Sequence, residues 1–282
     1  MTLGEITGAE SSSAPAAHDT VLRFDARGPL APWPAAGKRR TPKASSSDSA
    51  LFLSEDIDGL NVGAHFLDRL SNDEKALVHA AGRPIVVPQG ALVFSQGDPH
   101  DGIFIIKCGQ VRVYYTAPSG REITLAYWTP GHFIGGPEIC GGGVHMWSGI
   151  AMGTCEITAL PGPSLQKLLT QMPTFALALI DGLVAKGKCY SSMAQMLGTR
   201  SVIERLAQYL LNLAELYGIS EGDTVLINRK ITHDQIAAMV GSTRQWVTMM
   251  LKRFQTKRII SVDASGIRIR RVDLLEKILF KD

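Results

Sequence analysis

No apolar run in this 282-residue chain reaches the roughly 18 residues that a membrane-spanning helix requires. Residues Met1 to Glu10 hold no basic stretch followed by an apolar one, so no secretory leader is expected. The expected compartment is the cytoplasm, with no membrane partner. Cysteine is scarce. Cys108, Cys140, Cys155 and Cys189 form no Cys-x-x-Cys pair and match no zinc-ligand spacing, which points to free thiols in a reducing compartment and to no bound metal. A nucleophile elbow, a P-loop and a metal-ligand set are all missing, so an enzyme is not expected. Glu138 with His145 as acid and base, and Gly141-Gly142-Gly143 as a phosphate cradle, are the nearest approach to catalytic equipment.

Hydrophobic residues make up 45% of the chain and charged residues 20%, ordinary for a globular protein with a sizeable core. The net charge is only +3 but is unevenly placed: from Gly218 to Asp282 there are 12 Lys/Arg against 7 Asp/Glu. A basic C-terminal module on a near-neutral body suggests a polyanionic partner.

Residues 1–55 are rich in Ala, Ser, Pro and Gly and read as a disordered N-terminal extension, because such a stretch buries too little apolar surface to offset its ordering entropy. Its Lys38-Arg39-Arg40 cluster reads as solvated tail charge, with a DNA contact as the alternative. Near Ala64 the pattern turns helical through Phe66, Leu67, Leu70 and Leu77, with Ser71 and Glu74 spaced as a capping box. Pro84 to Ile157 then holds short apolar runs (85–87, 92–94, 103–106, 111–115, 123–127) separated by Gly, Pro, Asp and Ser, as in a small β-barrel or roll. Ser164 to Leu169 suits a short helix. Pro173 to Tyr217 carries no internal proline and predicts one long helix, with Leu179, Leu183, Met193, Leu197, Leu206 and Leu210 among its apolar positions. A helix of that length on so small a domain is economically covered by a parallel partner helix from a second copy, making a homodimer. The expected division is 1–55 tail, 56–172 effector-sensing roll, 173–217 dimerisation helix and 218–282 winged helix-turn-helix, in an α+β fold class.

The last segment is the most informative. Ile231 to Val240 reads as a helix capped by Thr232 with Gln235 three residues on. Gly241 supplies a turn at the least cost in left-handed backbone. Ser242 or Thr243 caps a second helix from Arg244 to about Lys257, whose inner face is Val247, Met250, Leu251 and Phe254. Runs 259–262 and 267–269 around Asp263-Ala264-Ser265-Gly266 make a β-wing, and 273–280 a closing helix. Helix, glycine turn, helix and wing describe a module that reads double-stranded DNA from the major groove. Arg244 is placed to pair with guanine and Gln245 with adenine. Thr232, Ser242, Lys252 and the wing residue Arg268 are placed for phosphates, with Arg229 and Arg270 as further candidates. Thr243, Trp246 and Met249 complete the expected DNA-facing set.

In order along the chain, Leu92-Val93-Phe94-Ser95-Gln96-Gly97-Asp98, Ile103 to Val113 with Gly109, Gly120-Arg121-Glu122-Ile123-Thr124-Leu125 followed by Pro130-Gly131-His132-Phe133-Ile134-Gly135, and Ile231 to Leu251 resemble the cAMP-receptor-protein/FNR family of bacterial transcription regulators. The resemblance covers residues 64–280. It implies a cyclic-nucleotide-binding-like β-roll, a dimerising helix, a palindromic operator and contact with RNA polymerase. It also implies a small-molecule effector held by Gly135, Gly136, Glu138, His145, Trp147 and Ser148 of the roll and by Tyr190 and Ser191 of the long helix. The cassette 135–148 has neither arginine nor lysine, and Gly136 stands where the family's glutamate sits, so cyclic AMP is not the expected effector. Another small effector, or activity without one, fits better. No cysteine precedes Cys108, which argues against the family's N-terminal iron–sulfur cluster. Haem is not expected either, since Cys108, Cys140, His132 and His145 qualify as axial ligands by residue type alone. Met249 replaces the family's second arginine, so a non-standard half-site is expected. A ligand-responsive protein-interaction switch, in which Arg244, Lys252 and Arg268 are dispensable, is the alternative reading.

Overall fold

The computed structural model describes residues 49–61 and 65–280. The expected tail up to residue 48, including Lys38-Arg39-Arg40, lies outside the described residues. Its expected end at residue 55 is corrected. Ala50, Leu51, Phe52 and Leu53 are all buried. Leu51 and Tyr127 exchange both backbone hydrogen bonds, at 3.0 and 2.7 Å, and Asn212 Nδ2 donates to the Phe52 carbonyl at 3.2 Å. Four consecutive apolar residues here cover the open edge of a sheet, which offsets their ordering cost.

A short helix α1 (Ile57–Asn61) and a single 3-10 turn (Phe66–Arg69) precede helix α2 (Asn72–Ala80). The capping box of Ser71 and Glu74 is formed in full. The continuous helical pattern expected across Phe66 to Leu77 is therefore broken at Leu70, whose backbone is extended.

The strands that follow are β1 (Arg83–Val87), β2 (Leu92–Phe94), β3 (Pro99–His100), β4 (Gly102–Cys108), β5 (Val111–Thr116), β6 (Glu122–Trp128), β7 (Phe133–Gly135), β8 (Gly143–Val144), β9 (Ser148–Ala151) and β10 (Cys155–Pro161). Two antiparallel sheets form, ordered β1-β10-β4-β7 and β2-β9-β5-β6, with a small β3-β8 ladder beside them. Alternation in β5 buries Val111 and Val113, and Leu51 lies along the exposed side of edge strand β6. The result is the β-roll.

Helix α3 (Gly162–Gln171) leads into α4 (Pro173–Thr199), which lies directly on the roll. At Gly182 a Cβ atom would come within 2.7 Å of the Phe133 ring and 2.9 Å of Phe66, so only glycine allows this approach. The long helix expected over 173–217 is two helices. Arg200 is extended, and α5 (Val202–Tyr217) starts afresh behind Ser201, whose capping box with Glu204 is complete. Leu206 and Leu210, expected on a dimer stripe, are instead fully buried in the C-terminal core. Leu177, Ile180, Leu183 and Val184 of α4 remain exposed.

A four-stranded sheet β11-β12-β14-β13 completes the C-terminal part, from β11 (Gly218–Glu221), β12 (Thr224–Ile227), and the wing strands β13 (Ile260–Asp263) and β14 (Gly266–Ile269). Helices α6 (His233–Val240), α7 (Arg244–Thr256) and α8 (Val272–Leu279) pack on it together with α5. Helix α6 also packs against β6 of the roll. No single helix among the described residues is long and apolar enough to cross a membrane.

Candidate functional site

Thr232 caps α6 through the backbone N–H of Gln235, and the Gln235 side chain returns the bond to the Thr232 N–H at 2.8 Å. Gly241 ends the helix in the left-handed region, at φ 64° and ψ 49°. Thr243 then caps α7 through the Trp246 N–H at 3.2 Å. These local bonds set the angle between α6 and α7 and present the N-terminus of α7 to solvent. Val247, Met250, Leu251 and Phe254 face the core. Arg244, Gln245, Thr248, Met249 and Lys252 line a shallow depression along the opposite face. Met249 is 55% exposed and gives that depression an apolar patch between its polar groups.

Arg244 reaches back to Asp234 of α6 at 3.7 Å, a long pair between two exposed groups that contributes little. Thr248 Oγ1 donates to the Arg244 carbonyl at 2.9 Å and lies 2.7 Å from His233 Nδ1, which joins the two helices. Trp246, expected in the DNA-facing set, is half-buried and packs against the core. Arg268 departs from expectation. It lies on β14 and is ion-paired across β12 to Glu221 of β11, so its guanidinium is committed within the protein. Exposed Arg270 is the freer wing cation: it donates to Ser261 Oγ at 3.2 Å and, among the described residues, is in no ion pair.

The roll holds a second candidate site. His145 is buried, stacked on Phe94 at 4.3 Å and tilted against His100 at 4.5 Å. His100 Nε2 accepts the Gly136 N–H. Burial pushes the His145 pKa down to about 4, and the neighbouring His100 adds to the effect. His100 is lowered as well, by burial, with Glu138 opposing. Both imidazoles are therefore neutral at pH 7, and the cassette offers no cation to an anionic ligand. Ser148 Oγ accepts the Gln96 N–H at 3.0 Å, and Trp147 Nε1 donates to the Gly135 carbonyl at 2.7 Å. Trp147 faces Tyr190 of α4 at 5.8 Å. Glu138 and Ser191 are exposed, and of the two Glu138 acts on the buried group through its charge on His100.

Sequence reasoning missed three members of this region. His100 sits 45 positions from His145 with no local signal to link them. Trp128 and Lys186 complete an aromatic box with Tyr190: the Lys186 ammonium lies 3.8 Å from the Trp128 ring and 4.7 Å from Phe133. Burial lowers the Lys186 pKa to about 7. A lysine among Leu183, Val184, Cys189 and Met193, two residues before Lys188, was the available clue. His132 packs between Trp128 and His65, at 5.1 Å from each, well apart in its contacts from His145. Among the described residues no group of three or more His, Cys, Asp or Glu is arranged to hold a metal ion.

Comparisons with known proteins agree with this arrangement. Residues 84–172 match the cyclic nucleotide-binding domain and residues 204–278 the Crp-like helix-turn-helix domain. The chain is 27% identical over 188 residues to the CRP-like cAMP-activated global transcriptional regulator of Mycobacterium tuberculosis, covering 66% of this chain and 84% of that one. It is 26% identical over 218 residues to the cyclic AMP receptor protein of Thermus thermophilus, covering 77% and 98%. In fold it is similar to the c-di-GMP-responsive regulator CLP of Xanthomonas campestris, with a TM-score of 0.64 at 19% identity over 71% of this chain and 99% of that one. With a β-roll, a long helix and a DNA-binding helix-turn-helix in this order, the chain belongs to the cAMP-receptor-protein/FNR family of transcription regulators.

Proposed function

We propose that the protein is a homodimer that binds a palindromic DNA site with α7 in the major groove, reading from about Thr243. The observation that carries this is the two-sidedness of α7. Its apolar face is buried, while Arg244, Gln245, Met249 and Lys252 stand together in solvent one turn beyond a left-handed glycine. Arg244 reads guanine, Gln245 adenine, and Met249 meets a thymine methyl or a sugar. Thr232, Ser242, Lys252 and Arg270 hold phosphates, and Arg268 takes part only if DNA draws it from Glu221.

The dimer forms along α4. Leu177, Ile180 and Val184, exposed and spaced three and four apart, continue into the small residues Gly187, Ser191, Ala194 and Gly198, which let two helices approach closely. Two-fold symmetry then spaces the half-sites by about 34 Å, one helical turn. RNA polymerase is the expected protein partner of the bound dimer. The roll senses a small effector that suits an aromatic chamber whose cassette, residues 135–148, lacks arginine and lysine, or the protein acts without one. Cyclic AMP fits poorly, because neutral His145 and Gly136 replace the groups a buried phosphate needs.

Selection of binders from random DNA, read by gel shift, tests the proposal. The expected result is an enriched palindrome whose binding is lost with Arg244→Ala. Absence of any enriched palindrome, with Arg244→Ala indistinguishable from wild type, overturns it in favour of a protein-interaction switch.

A further inference from the structure

A cleft of about 940 Å³ opens between the roll and the C-terminal domain, within the upper part of the range of about 300–1,000 Å³ typical of small-molecule sites, which favour domain boundaries. Its roll wall carries Lys107, Gln110 and Tyr127; its other wall carries Tyr217, Arg229 and Lys230. Among the described residues three cations line the cleft and no Asp or Glu does. The described partners of Arg229 are neutral: it donates to Gln110 Oε1 and lies 4.5 Å over the Tyr217 ring. An arginine that bridges two domains through an amide and a ring, with no carboxylate, keeps most of its affinity for an anion. The Tyr217 hydroxyl is buried without a hydrogen-bond partner among the described residues, an unmet donor on the same wall. Beside these polar groups Pro130, Met152 and Ile231 supply apolar surface.

We propose that this cleft binds a small organic anion with a planar ring, the chemistry shared by mononucleotides and aromatic carboxylates. The anion displaces Gln110 from Arg229 and is held by Lys107 and Lys230 from either side. The ring lies on the apolar wall and the Tyr217 hydroxyl donates to it or to the anion. Because the two walls belong to different domains, occupancy fixes the C-terminal domain against the roll. The site is separate from the roll chamber, and its existence does not depend on how α7 reads DNA.

Isothermal titration of the full chain, without DNA, tests this with three probes: adenosine 5′-monophosphate, salicylate and inorganic phosphate. Saturable binding of at least one ring-bearing probe, one per chain, is expected, about tenfold or more tighter than phosphate. Arg229→Gln should weaken it by about tenfold or more, the scale of one charged hydrogen bond. Lys107→Gln combined with Lys230→Gln, which alters only exposed side chains and leaves the fold intact, should do the same, while Lys167→Gln on α3 should not. Failure of wild type to bind any ring-bearing probe overturns the proposal, as does an affinity unchanged in the double variant. Equal affinity for phosphate and the ring-bearing probes overturns it too.

Discussion

Arg205 of α5 donates its Nε to the carbonyl of Val240, the last residue of α6, at 2.8 Å. The same guanidinium reaches the carbonyls of Arg200 at 2.8 Å and Leu197 at 3.2 Å. Buried to 8% exposure, this one cation satisfies orphan carbonyls at the ends of two helices, where the helix dipole also favours positive charge. It ties the end of α4 to the helix-turn-helix. Arg205→Met should cost about 2–4 kcal/mol of stability, because one buried and two half-buried acceptors lose their donor. Urea denaturation followed by circular dichroism measures it, and a loss below about 1 kcal/mol would show that water replaces the arginine.

The turn between α6 and α7 depends on Gly241. At φ 64°, any β-carbon is strained, and here it would also lie 3.2 Å from Leu197 Cδ2. Gly241→Ala should lower stability by about 1–2 kcal/mol. Gly241→Val should lower it further and tilt α7, seen as a greater loss of DNA affinity than of melting temperature.

Arg244 and Asp234 face each other across the two helices while both stay exposed. Arg244→Ala should therefore leave stability within about 0.5 kcal/mol of wild type yet reduce specific DNA affinity by about tenfold or more. Asp234→Asn removes an acid beside the proposed DNA surface and should tighten binding. Lys252→Ala should lower the slope of log affinity against log salt by about one.

Acid should weaken the fold through its buried histidines. Burial, with Lys186 and His65 adding, holds His132 down to about 3, and His145 stands at about 4. Both folded values lie below the 6.5 of the unfolded chain. Below pH 6.5 the unfolded state therefore binds protons that the folded state refuses, and stability falls as pH drops toward 4. Between pH 7.5 and 5.5 the two should together cost about 3 kcal/mol. Chemical denaturation at both pH values measures this, and His132→Gln with His145→Gln should flatten the dependence.

The exposed stripe of α4 gives an independent check on assembly. Leu177→Glu with Val184→Glu replaces two side chains that are each 50% exposed, so the protomer should stay folded. Sedimentation velocity should then report a monomer where wild type is a dimer, and operator binding should fall with it. A wild-type monomer at micromolar concentration would remove the basis for a palindromic site.

Much of the C-terminal domain was legible in the residues because its signals are local. Thr232 with Gln235, Gly241, and Thr243 each act on groups within four residues of themselves, and the wing turn is closed by Asp263 on the Ser265 N–H at 2.8 Å. The five strand patterns of the roll fell inside β1, β2, β4, β5 and β6 for the same reason. The break between α4 and α5 was legible too, since Ser201 and Glu204 spell a capping box. The apolar periodicity running through both helices concealed it.

The amino-acid sequence thus determined the order of the elements, the helix starts and turns, and which face of α7 stays polar. These follow from hydrogen bonds and side-chain periods that span a few residues. The tertiary structure alone decided that Leu51 closes the edge at Tyr127, that His100 meets His145 above Gly136, that Glu221 holds Arg268, and that Arg229 reaches Gln110 across the cleft. Each of these pairs joins residues 45 or more positions apart, brought together by packing of the whole core. No local spacing carries that information, because the choice among distant partners is made by which surfaces exclude water together.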